Sequence, residues 1–309
     1  MSIFLGIDVG TVSIKIALLC ENSSQNVLPA ISKSNDIFYQ TTQSNEIKNT
    51  NSLNLFVTKC FPLNGNPVQE TSLLIWKILD IIPEDQIGGV RVCGSGGRLI
   101  GDLLGINNEN EFRAIASGVG AMYPEILTVF EMGGQNSKYL SLEKDKETGT
   151  TGISDYEMSG DCAAGTGSFL DQQASRLKYD VDQIGDIVSG ADKSAKIAGR
   201  CSVFAKSDMI HAQQKGSKPE EVLKGLCEAV ARNFKNSIIK SKKIKTPALF
   251  IGGVAKNTGV VNAVKQVFNF QNDELLVPEY YAWMPALGTA LAEINAADHS
   301  GLPDFKLLS

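Results

Sequence analysis

A short segment near the N-terminus, GIDVGTVSIK at residues 6–15, combines groups that bind a metal-chelated phosphate. A strand that ends at an acid and continues into a Gly-Thr turn exposes backbone N–H groups, which form a nest for anions. Asp8 is a candidate catalytic residue that holds Mg²⁺ through water, because Mg²⁺ keeps several waters and is bound by one or two carboxylates. The predicted phosphate contacts are the backbone, hydroxyl and ammonium groups of Gly10, Thr11, Ser13 and Lys15.

The same chemistry recurs in EMGGQNSK, residues 131–138. Backbone N–H groups in a paired-glycine turn again favour an anion. Gly133, Gly134 and Lys138 are therefore predicted to contact phosphate. The side-chain amide of Gln135 can both donate and accept a hydrogen bond, so it is a candidate catalytic residue that orients a water molecule.

A third glycine pair stands in IGGVAKN, residues 251–257, directly after a predicted buried strand. Glycine has no Cβ, so the backbone there can approach a flat ring closely. Gly252, Gly253 and Asn257 are therefore candidates for contact with a nucleoside. Each of the three segments taken singly is more often only a tight turn, but their occurrence together in this order favours nucleotide binding.

Two of the six cysteines precede predicted helices. Cys162 lies in GDCAAGTGSFLDQQ, and Cys201 lies in GRCSVFAKSDMIHAQQ. Unpaired N–H groups and the positive end of the helix dipole favour a thiolate at such a position and lower the pKa of the thiol. For either residue alone, a buried packing cysteine remains the alternative.

Metal ligation explains the two cysteines together better than their other chemistries do. A Cys–His nucleophile is hard to build, since the histidines are His211, on the helix after Cys201, and His299, near the C-terminus. A disulfide is unusual in a reducing cytosol. A cubane cluster usually takes four cysteines, and a two-fold symmetric dimer supplies four where one chain supplies two. The pair predicts one [4Fe–4S] cluster shared at a subunit interface, with helix N-termini directed at it.

Apolar patterning predicts an α/β chain with two glycine-turn hairpins that suggest an internal duplication. Residues 22–54, dominated by polar side chains, are predicted to be a loose, solvated extension of the first sheet, and residues 144–152 a hairpin loop. The predicted strands are 2–9, 12–20, 53–60, 89–93, 126–130, 138–142 and 248–251. The predicted helices are 71–82, 111–123, 166–178, 181–189, 203–215, 219–240, 258–268 and 286–297.

The order of the three glycine segments resembles the nucleotide-binding pattern of the superfamily that contains actin, heat-shock ATPases and sugar kinases. The resemblance implies an α/β fold of two duplicated actin-like (ribonuclease H-like) subdomains with a nucleotide cleft between them. It implies ATP or ADP as ligand, with the first two segments on the phosphates and the third on the adenosine. The expected subdomains are residues 1–125 with 283–309, and residues 126–282.

Within that superfamily, the two cysteine motifs resemble those of the ATP-dependent activators of 2-hydroxyacyl-CoA dehydratases and benzoyl-CoA reductases. The matching residues are CAAGTGSFLD at 162–171 and CSVFAKSDMI at 201–210. The resemblance implies a homodimer with a bridging [4Fe–4S] cluster held by Cys162 and Cys201. It further implies ATP-driven transfer of a low-potential electron to a dehydratase or reductase, with ferredoxin or flavodoxin as donor. The other four cysteines match no ligand position and are predicted to be packing residues.

Two positions depart from that family's pattern, in which the second phosphate segment begins with Asp and contains GGQD. Here Glu131 and Asn136 occupy those positions. An amide cannot act as a carboxylate toward Mg²⁺ or water. These departures favour one alternative, a catalytically degenerate actin-like domain of a longer activator chain. A sugar or N-acetylhexosamine kinase of the same fold is the other alternative, and it would need neither Cys162 nor Cys201.

Charge and hydropathy argue against two further classes of partner, nucleic acids and membranes. A net charge of −5 and a pI near 5.3 argue against nucleic-acid binding, which usually needs a basic patch. No apolar run approaches the ~20 residues of a membrane span, and Asp8 interrupts the first strand where a signal peptide would be apolar. A cytoplasmic protein is therefore expected.

Overall fold

The computed structural model describes residues 2–21, 27–39, 47, 53–145, 147–160, 165–198, 202–296 and 303–308. Its strands are β1 Ile3–Val9, β2 Ser13–Glu21, β3 Leu53–Val57, β4 Phe61–Pro62, β5 Ile87–Cys93, β6 Thr128–Met132, β7 Ser137–Lys144, β8 Thr151–Met158, β9 Ala248–Ile251 and β10 Leu275–Leu276. Its α-helices are α1 Leu28–Lys33, α2 Pro67–Leu79, α3 Gly97–Leu104, α4 Glu111–Met122, α5 Gly167–Arg176, α6 Ile184–Ser189, α7 Ser202–Gln214, α8 Pro219–Phe234, α9 Thr258–Phe268 and α10 Met284–Ile294.

The chain forms two compact units. Unit 1 comprises Met1–Glu125, Glu143–Ile153 and Ala282–Ser309, and unit 2 comprises Ile126–Leu142 and Ser154–Tyr281. The described residues form two five-stranded sheets, one built on β1 in unit 1 and one built on β6 in unit 2. No helix in the described ranges is both long and apolar enough to cross a bilayer.

The sheet of unit 1 is built on the first hairpin. β1 pairs antiparallel with β2 and parallel with β5, and the strand order is β3-β2-β1-β5, with β4 paired to β2. All seven residues of β1 are buried, as expected for a central strand whose two faces are both covered. α10 packs on β1 and on α4, and a Cβ on Gly6 would overlap the backbone of Ala286 and Ala290.

The prediction of a loose extension over residues 22–54 was wrong for the part that can be described. Residues 27–39 contain α1, and Val27, Ile31, Ile37 and Phe38 are buried in the core of unit 1. Val27 and Ile31 are four residues apart, so one turn of helix places both on the same side. A few well-spaced apolar residues thus anchor a segment whose composition is mostly polar.

The sheet of unit 2 repeats the plan of unit 1. β6 pairs antiparallel with β7 and parallel with β9, and the strand order is β10-β9-β6-β7-β8. In both units, therefore, the first strand of a hairpin also pairs in parallel with a strand from later in the chain. This repeated pairing fits the predicted duplication.

The edge strand β8 was missed, because the sequence after residue 152 was expected to be helical. β8 carries half-exposed and exposed side chains throughout, so it lacks the alternation of apolar and polar residues that marks a half-buried strand. The preceding loop was confirmed, since β7 ends at Lys144 and β8 begins at Thr151.

The helices of unit 2 enclose an aromatic core. Phe130 of β6 lies within ring-contact distance of Phe234, Phe268 and Phe270, with ring centroids 5.1, 5.2 and 6.2 Å away. α9 begins and ends where predicted, whereas α8 ends at Phe234 and a π turn follows over Lys235–Ile239.

Candidate functional site

The first glycine segment, here called loop 1, leaves the end of β1 in unit 1. Asp8 lies directly opposite Lys15 in the hairpin register, and the Lys15 ammonium is 3.1 Å from Asp8 Oδ2. The Gly10 N–H donates to the Ser13 carbonyl at 3.1 Å, which closes the turn. Beside it, Gly94 has φ +87°, and a Cβ there would lie 2.5 Å from Asp8 Oδ1. The backbone of Gly94, directly after β5, therefore lies close to the Asp8 carboxylate.

The second segment, loop 2, repeats this arrangement in unit 2. Glu131 lies opposite Lys138 in the register of β6 and β7, and the Lys138 ammonium donates to Glu131 Oε2 at 2.9 Å. The two pairs have the same separation of seven residues. Glu131 and Lys138 are both buried, with 6% and 3% exposure. The Gly133 N–H donates to the Asn136 carbonyl at 2.9 Å, so this turn closes on its own backbone as well.

The third segment, loop 3, leaves β9 immediately beside loop 2. Glu131 pairs with Ile251 in the parallel register of β6 and β9, so Gly252 emerges level with Met132. Gly252 has φ +90° and ψ 166°, and a Cβ there would overlap the Met132 carbonyl and lie 2.8 Å from Glu131 Oε1. Gly253, by contrast, is exposed and has no atom within 4 Å of its Cβ position.

Asn257 ends loop 3 and begins α9. Its Oδ1 accepts from the Val260 N–H at 3.2 Å, which is an N-cap bond. Its Nδ2 is buried and has no hydrogen-bond partner. A buried donor without a partner is costly, so this amide is suited to an acceptor on a bound molecule.

A cavity of about 270 Å³ lies within unit 2 against α9, the helix that begins directly after loop 3. Its volume is just below the range of about 300–1,000 Å³ that is typical of small-molecule sites. α6, α8 and α9 supply its walls, which include the polar side chains Ser189, Lys224, Glu228, Asn262 and Gln266.

Loop 2 is bonded to the N-terminus of α5. The N–H groups of Gly167 and Ser168 donate to the carbonyls of Gly133 and Gly134, at 2.9 and 2.7 Å. These are the first two N–H groups of the helix, which the sequence predicted to face an iron–sulfur cluster. That expectation was wrong for these two groups, because α5 begins five residues after Cys162 and loop 2 takes up its first donors.

Ser137, at the start of β7, connects the base of loop 2 to both sides of the segment that contains Cys162. Its hydroxyl donates to the Gly165 carbonyl at 2.7 Å. Its backbone carbonyl accepts from the Ser159 N–H at 2.8 Å, and its own N–H donates to Ser159 Oγ at 3.0 Å. Ser137 is fully buried. No role was predicted for this serine from the sequence, although it stands inside the second phosphate motif.

The proposed cluster ligands, Cys162 and Cys201, lie outside the described residues. Among the other cysteines, the packing prediction holds for Cys20, Cys93 and Cys227, which are buried, and is wrong for Cys60, which is exposed. Burial raises the pKa of the Cys20 and Cys227 thiols to about 12. Within the described ranges, no group of three or more His, Cys, Asp or Glu side chains is placed to hold a metal ion.

A family model for the BadF/BadG/BcrA/BcrD ATPase family matches residues 84–292, which is more than half of the chain. The chain belongs to this ATPase family. The matched region contains loops 2 and 3 and both cysteine motifs, whereas loop 1 precedes it.

Two curated relatives are dehydratase activators. The chain is 32% identical over 191 residues to the 2-hydroxyisocaproyl-CoA dehydratase activator of Clostridioides difficile, an alignment that covers 62% of this chain and 68% of the relative. It is also 32% identical over 188 residues to the activator of lactoyl-CoA dehydratase of Anaerotignum propionicum, which covers 61% of this chain and 69% of the relative. These relatives agree with the resemblance found in the sequence.

A solved structure shows the fold. The activator of the 2-hydroxyisocaproyl-CoA dehydratase from Clostridium difficile with bound ADPNP superposes with a TM-score of 0.72 at 24% identity, and covers 97% of this chain and 100% of that one. The likeness confirms the actin-like α/β fold class predicted from the order of the glycine segments.

Proposed function

We propose that this chain is an ATP-hydrolysing activator that delivers a low-potential electron to a 2-hydroxyacyl-CoA dehydratase or a benzoyl-CoA reductase-like enzyme. The observation that carries the proposal is the repeated acid–lysine hairpin, with loop 3 beside the second copy, in a member of an ATPase family. The proposal includes a homodimer, a [4Fe–4S] cluster shared by two copies, and reduced ferredoxin or flavodoxin as electron donor.

Phosphoryl transfer to water needs positioning and charge stabilisation more than covalent chemistry. We assign Asp8 to Mg²⁺, through water, and the ammonium of Lys15 with the hydroxyls of Thr11 and Ser13 to phosphate oxygens. The Gly134 N–H of loop 2 is assigned as a further donor, whereas the N–H groups of Gly10 and Gly133 close their own turns on the carbonyls of Ser13 and Asn136. Gln135 is assigned to the attacking water, because its amide can both donate and accept.

The nucleoside is assigned to loop 3 and to the cavity along α9, the helix that follows loop 3. Gly253 leaves open space above its Cα, which permits close approach of a ring, and the unpartnered Asn257 Nδ2 supplies a donor. The cavity walls add amide and hydroxyl groups that could recognise the edge of a purine.

A substitution that fills the cavity tests this assignment. Asn262 is exposed and lines the cavity, so N262W is expected to weaken ATP binding by about tenfold or more, through overlap with the base. Gln271 is exposed and outside the cavity lining, so Q271W is the matched control. Calorimetric titration with ADP and ATP measures both. Equal affinities in N262W and Q271W would exclude the cavity as the nucleoside site.

The donor set is suited to half of a cubane cluster. Two thiolates from each of two symmetric copies complete the usual four ligands. When bound, the cluster would supply storage for one electron between the reduced donor and the partner enzyme. Of the residues that can be described, Ser159 and Gly165 flank Cys162 and are fixed to Ser137, and α7 begins directly after Cys201.

Anaerobic reconstitution with iron and sulfide tests the cluster. We expect a brown dimer with about four irons per two chains. C162A and C201A should each abolish the cluster and retain nucleotide binding, whereas C60S, which removes the exposed thiol, should retain both. A colourless monomer that phosphorylates a sugar would instead establish the kinase alternative.

A further inference from the structure

We infer that Ser137 is a positioning residue that couples nucleotide binding at loop 2 to the segment between Ser159 and Gly165. The inference rests on the proposed function, because it assumes that loop 2 binds the phosphates of ATP. It concerns one hydroxyl and its neighbours within unit 2.

Ser137 is attached to both ends of that segment at once. Its hydroxyl bonds to Gly165 after the segment, and its backbone bonds twice to Ser159 before it. Its other neighbours in the chain are the closing residue of loop 2, Asn136, and the paired lysine, Lys138. A displacement of the base of loop 2 therefore moves both ends of the segment, or else leaves the buried Gly165 carbonyl without its donor.

The duplication provides an internal comparison. Ser137 pairs with Met132 in the register of the second hairpin, and the equivalent residue of the first hairpin is Ile14, which pairs with Val9. Ile14 is as fully buried as Ser137 but has no polar side-chain atom. The hydroxyl thus occurs in the copy of the hairpin that is followed by Cys162. Core packing alone is satisfied by an aliphatic residue at this position, so the serine indicates a role in hydrogen bonding.

The peptide groups of loop 2 provide a second connection in the same direction. The carbonyl of Gly133 and the N–H of Gly134 belong to one peptide unit, and that carbonyl accepts from Gly167 at the start of α5. A phosphate that accepts from the Gly134 N–H polarises the same peptide and strengthens its bond to the helix, since hydrogen bonds in a chain reinforce one another. Nucleotide binding should therefore tighten the contact between loop 2 and α5, while Ser137 holds the segment before α5.

The test compares two hydroxyl deletions on one strand, in a C60S background. S137A removes the bond to Gly165. S141A removes a hydroxyl four residues farther along β7 that bonds to Ser154, away from the Cys162 segment. Calorimetry measures the affinity for ADPNP. Maleimide labelling of the apoprotein, resolved by peptide mass spectrometry, gives the rates at Cys162 and Cys201 with and without ADPNP.

In the C60S parent and in S141A, ADPNP should change the Cys162 labelling rate by about fivefold or more, the size of an ordinary allosteric coupling. In S137A, ADPNP should still bind, but the Cys162 rate should no longer respond to it. A response that persists in S137A, or that is absent from the parent despite ADPNP binding, would overturn the inference. Failure of the parent to bind ADPNP would refute the proposed function itself, so the two failures are distinguishable.

A second variant and a second measurement keep the inference testable if S137A misfolds. S159A removes the oxygen that accepts from the Ser137 N–H and leaves Ser137 itself intact, so it should reduce the ADPNP response in part. Hydrogen exchange of a peptide over residues 165–176 should slow with ADPNP in the parent. If S137A does not fold by circular dichroism, an undiminished labelling response in S159A, together with unchanged exchange in the parent, would refute the inference.

Discussion

Substitution of the first glycine of loop 3 provides a sharp test of the geometry in unit 2. Gly252 has φ +90° and ψ 166°, a region that is essentially restricted to glycine and costs other residues about 1–3 kcal/mol. A Cβ would also overlap the Met132 carbonyl and lie 2.8 Å from Glu131 Oε1, and overpacking of this kind costs about 1–3 kcal/mol. G252A should therefore lower the free energy of unfolding by about 2–6 kcal/mol.

The adjacent glycine is the matched control. Gly253 is exposed, has no positive φ and has nothing within 4 Å of its Cβ position. G253A should therefore change the free energy of unfolding by less than about 1 kcal/mol. If the proposed nucleoside site is correct, G253A should nevertheless weaken nucleotide binding, because its methyl group fills the open space above loop 3. The two variants thus distinguish a loss of folding stability from a loss of nucleotide affinity.

Urea unfolding followed by far-ultraviolet circular dichroism is the assay. Tryptophan fluorescence is unsuitable, because Trp76 and Trp283 both belong to unit 1 and Gly252 to unit 2. With a denaturant slope of about 2 kcal/mol/M, G252A should lower the midpoint by at least about 1 M. A G252A midpoint equal to that of G253A would refute the close approach of loop 3 to loop 2.

Three further predictions concern residues outside the loops. R91M should lower the free energy of unfolding by about 3–5 kcal/mol in urea titrations, because it leaves the fully buried Glu293 carboxylate without the Nε donor 3.0 Å away. A maleimide should label Cys60 rapidly in the native protein and the buried cysteines of the described residues only on unfolding, as peptide mass spectrometry would record. The backbone N–H and hydroxyl of Thr148 lower the pKa of Asp145, so this carboxylate stabilises the fold above its unfolded pKa and loses that contribution as the pH falls through its folded pKa. The difference in melting temperature between the wild type and D145N should accordingly shrink on acidification below the usual carboxyl pKa.

The sequence was sufficient for the loops because their structure is determined locally. An acid at the end of a buried strand, a glycine turn and a lysine seven residues later specify a two-stranded hairpin with the acid and the lysine opposite each other. Asp8 with Lys15 and Glu131 with Lys138 both follow this rule. The likeness of the two motifs therefore predicted the duplicated fold, although the residues between the loops gave little indication of it.

Elements whose stability comes from distant parts of the chain were harder to predict. β8 is an edge strand with no buried face to mark it, and its pairing with β7 stabilises it in place of a hydrophobic pattern. α1 is only six residues long, and its buried Ile31 contributes to a core built mainly from other segments. Neither β8 nor α1 has an apolar pattern that distinguishes it from the polar residues around it.

The role of Ser137 could not be predicted for a related reason. A serine in a strand is unremarkable in sequence, and its partners Ser159 and Gly165 lie 22 and 28 residues away. The comparison with Ile14 becomes possible only when the two hairpins are aligned by their acid–lysine pairs. That alignment was already available in the sequence and shows where the two hairpins differ, but it does not show which groups the serine hydroxyl bonds.

The differences between the two hairpins also bear on Glu131, at which the resemblance implied an Asp. At the position of Asp8, the second hairpin has a side chain longer by one methylene, and its Oε1 lies close to the Cβ positions of both Gly133 and Gly252. Its other oxygen is bonded to Lys138. Glu131 therefore fills the space between loops 2 and 3, where a shorter acid would leave room for water. A carboxylate held in this way supports the shape of loops 2 and 3, which leaves Asp8 as the acid assigned to Mg²⁺ in our proposal.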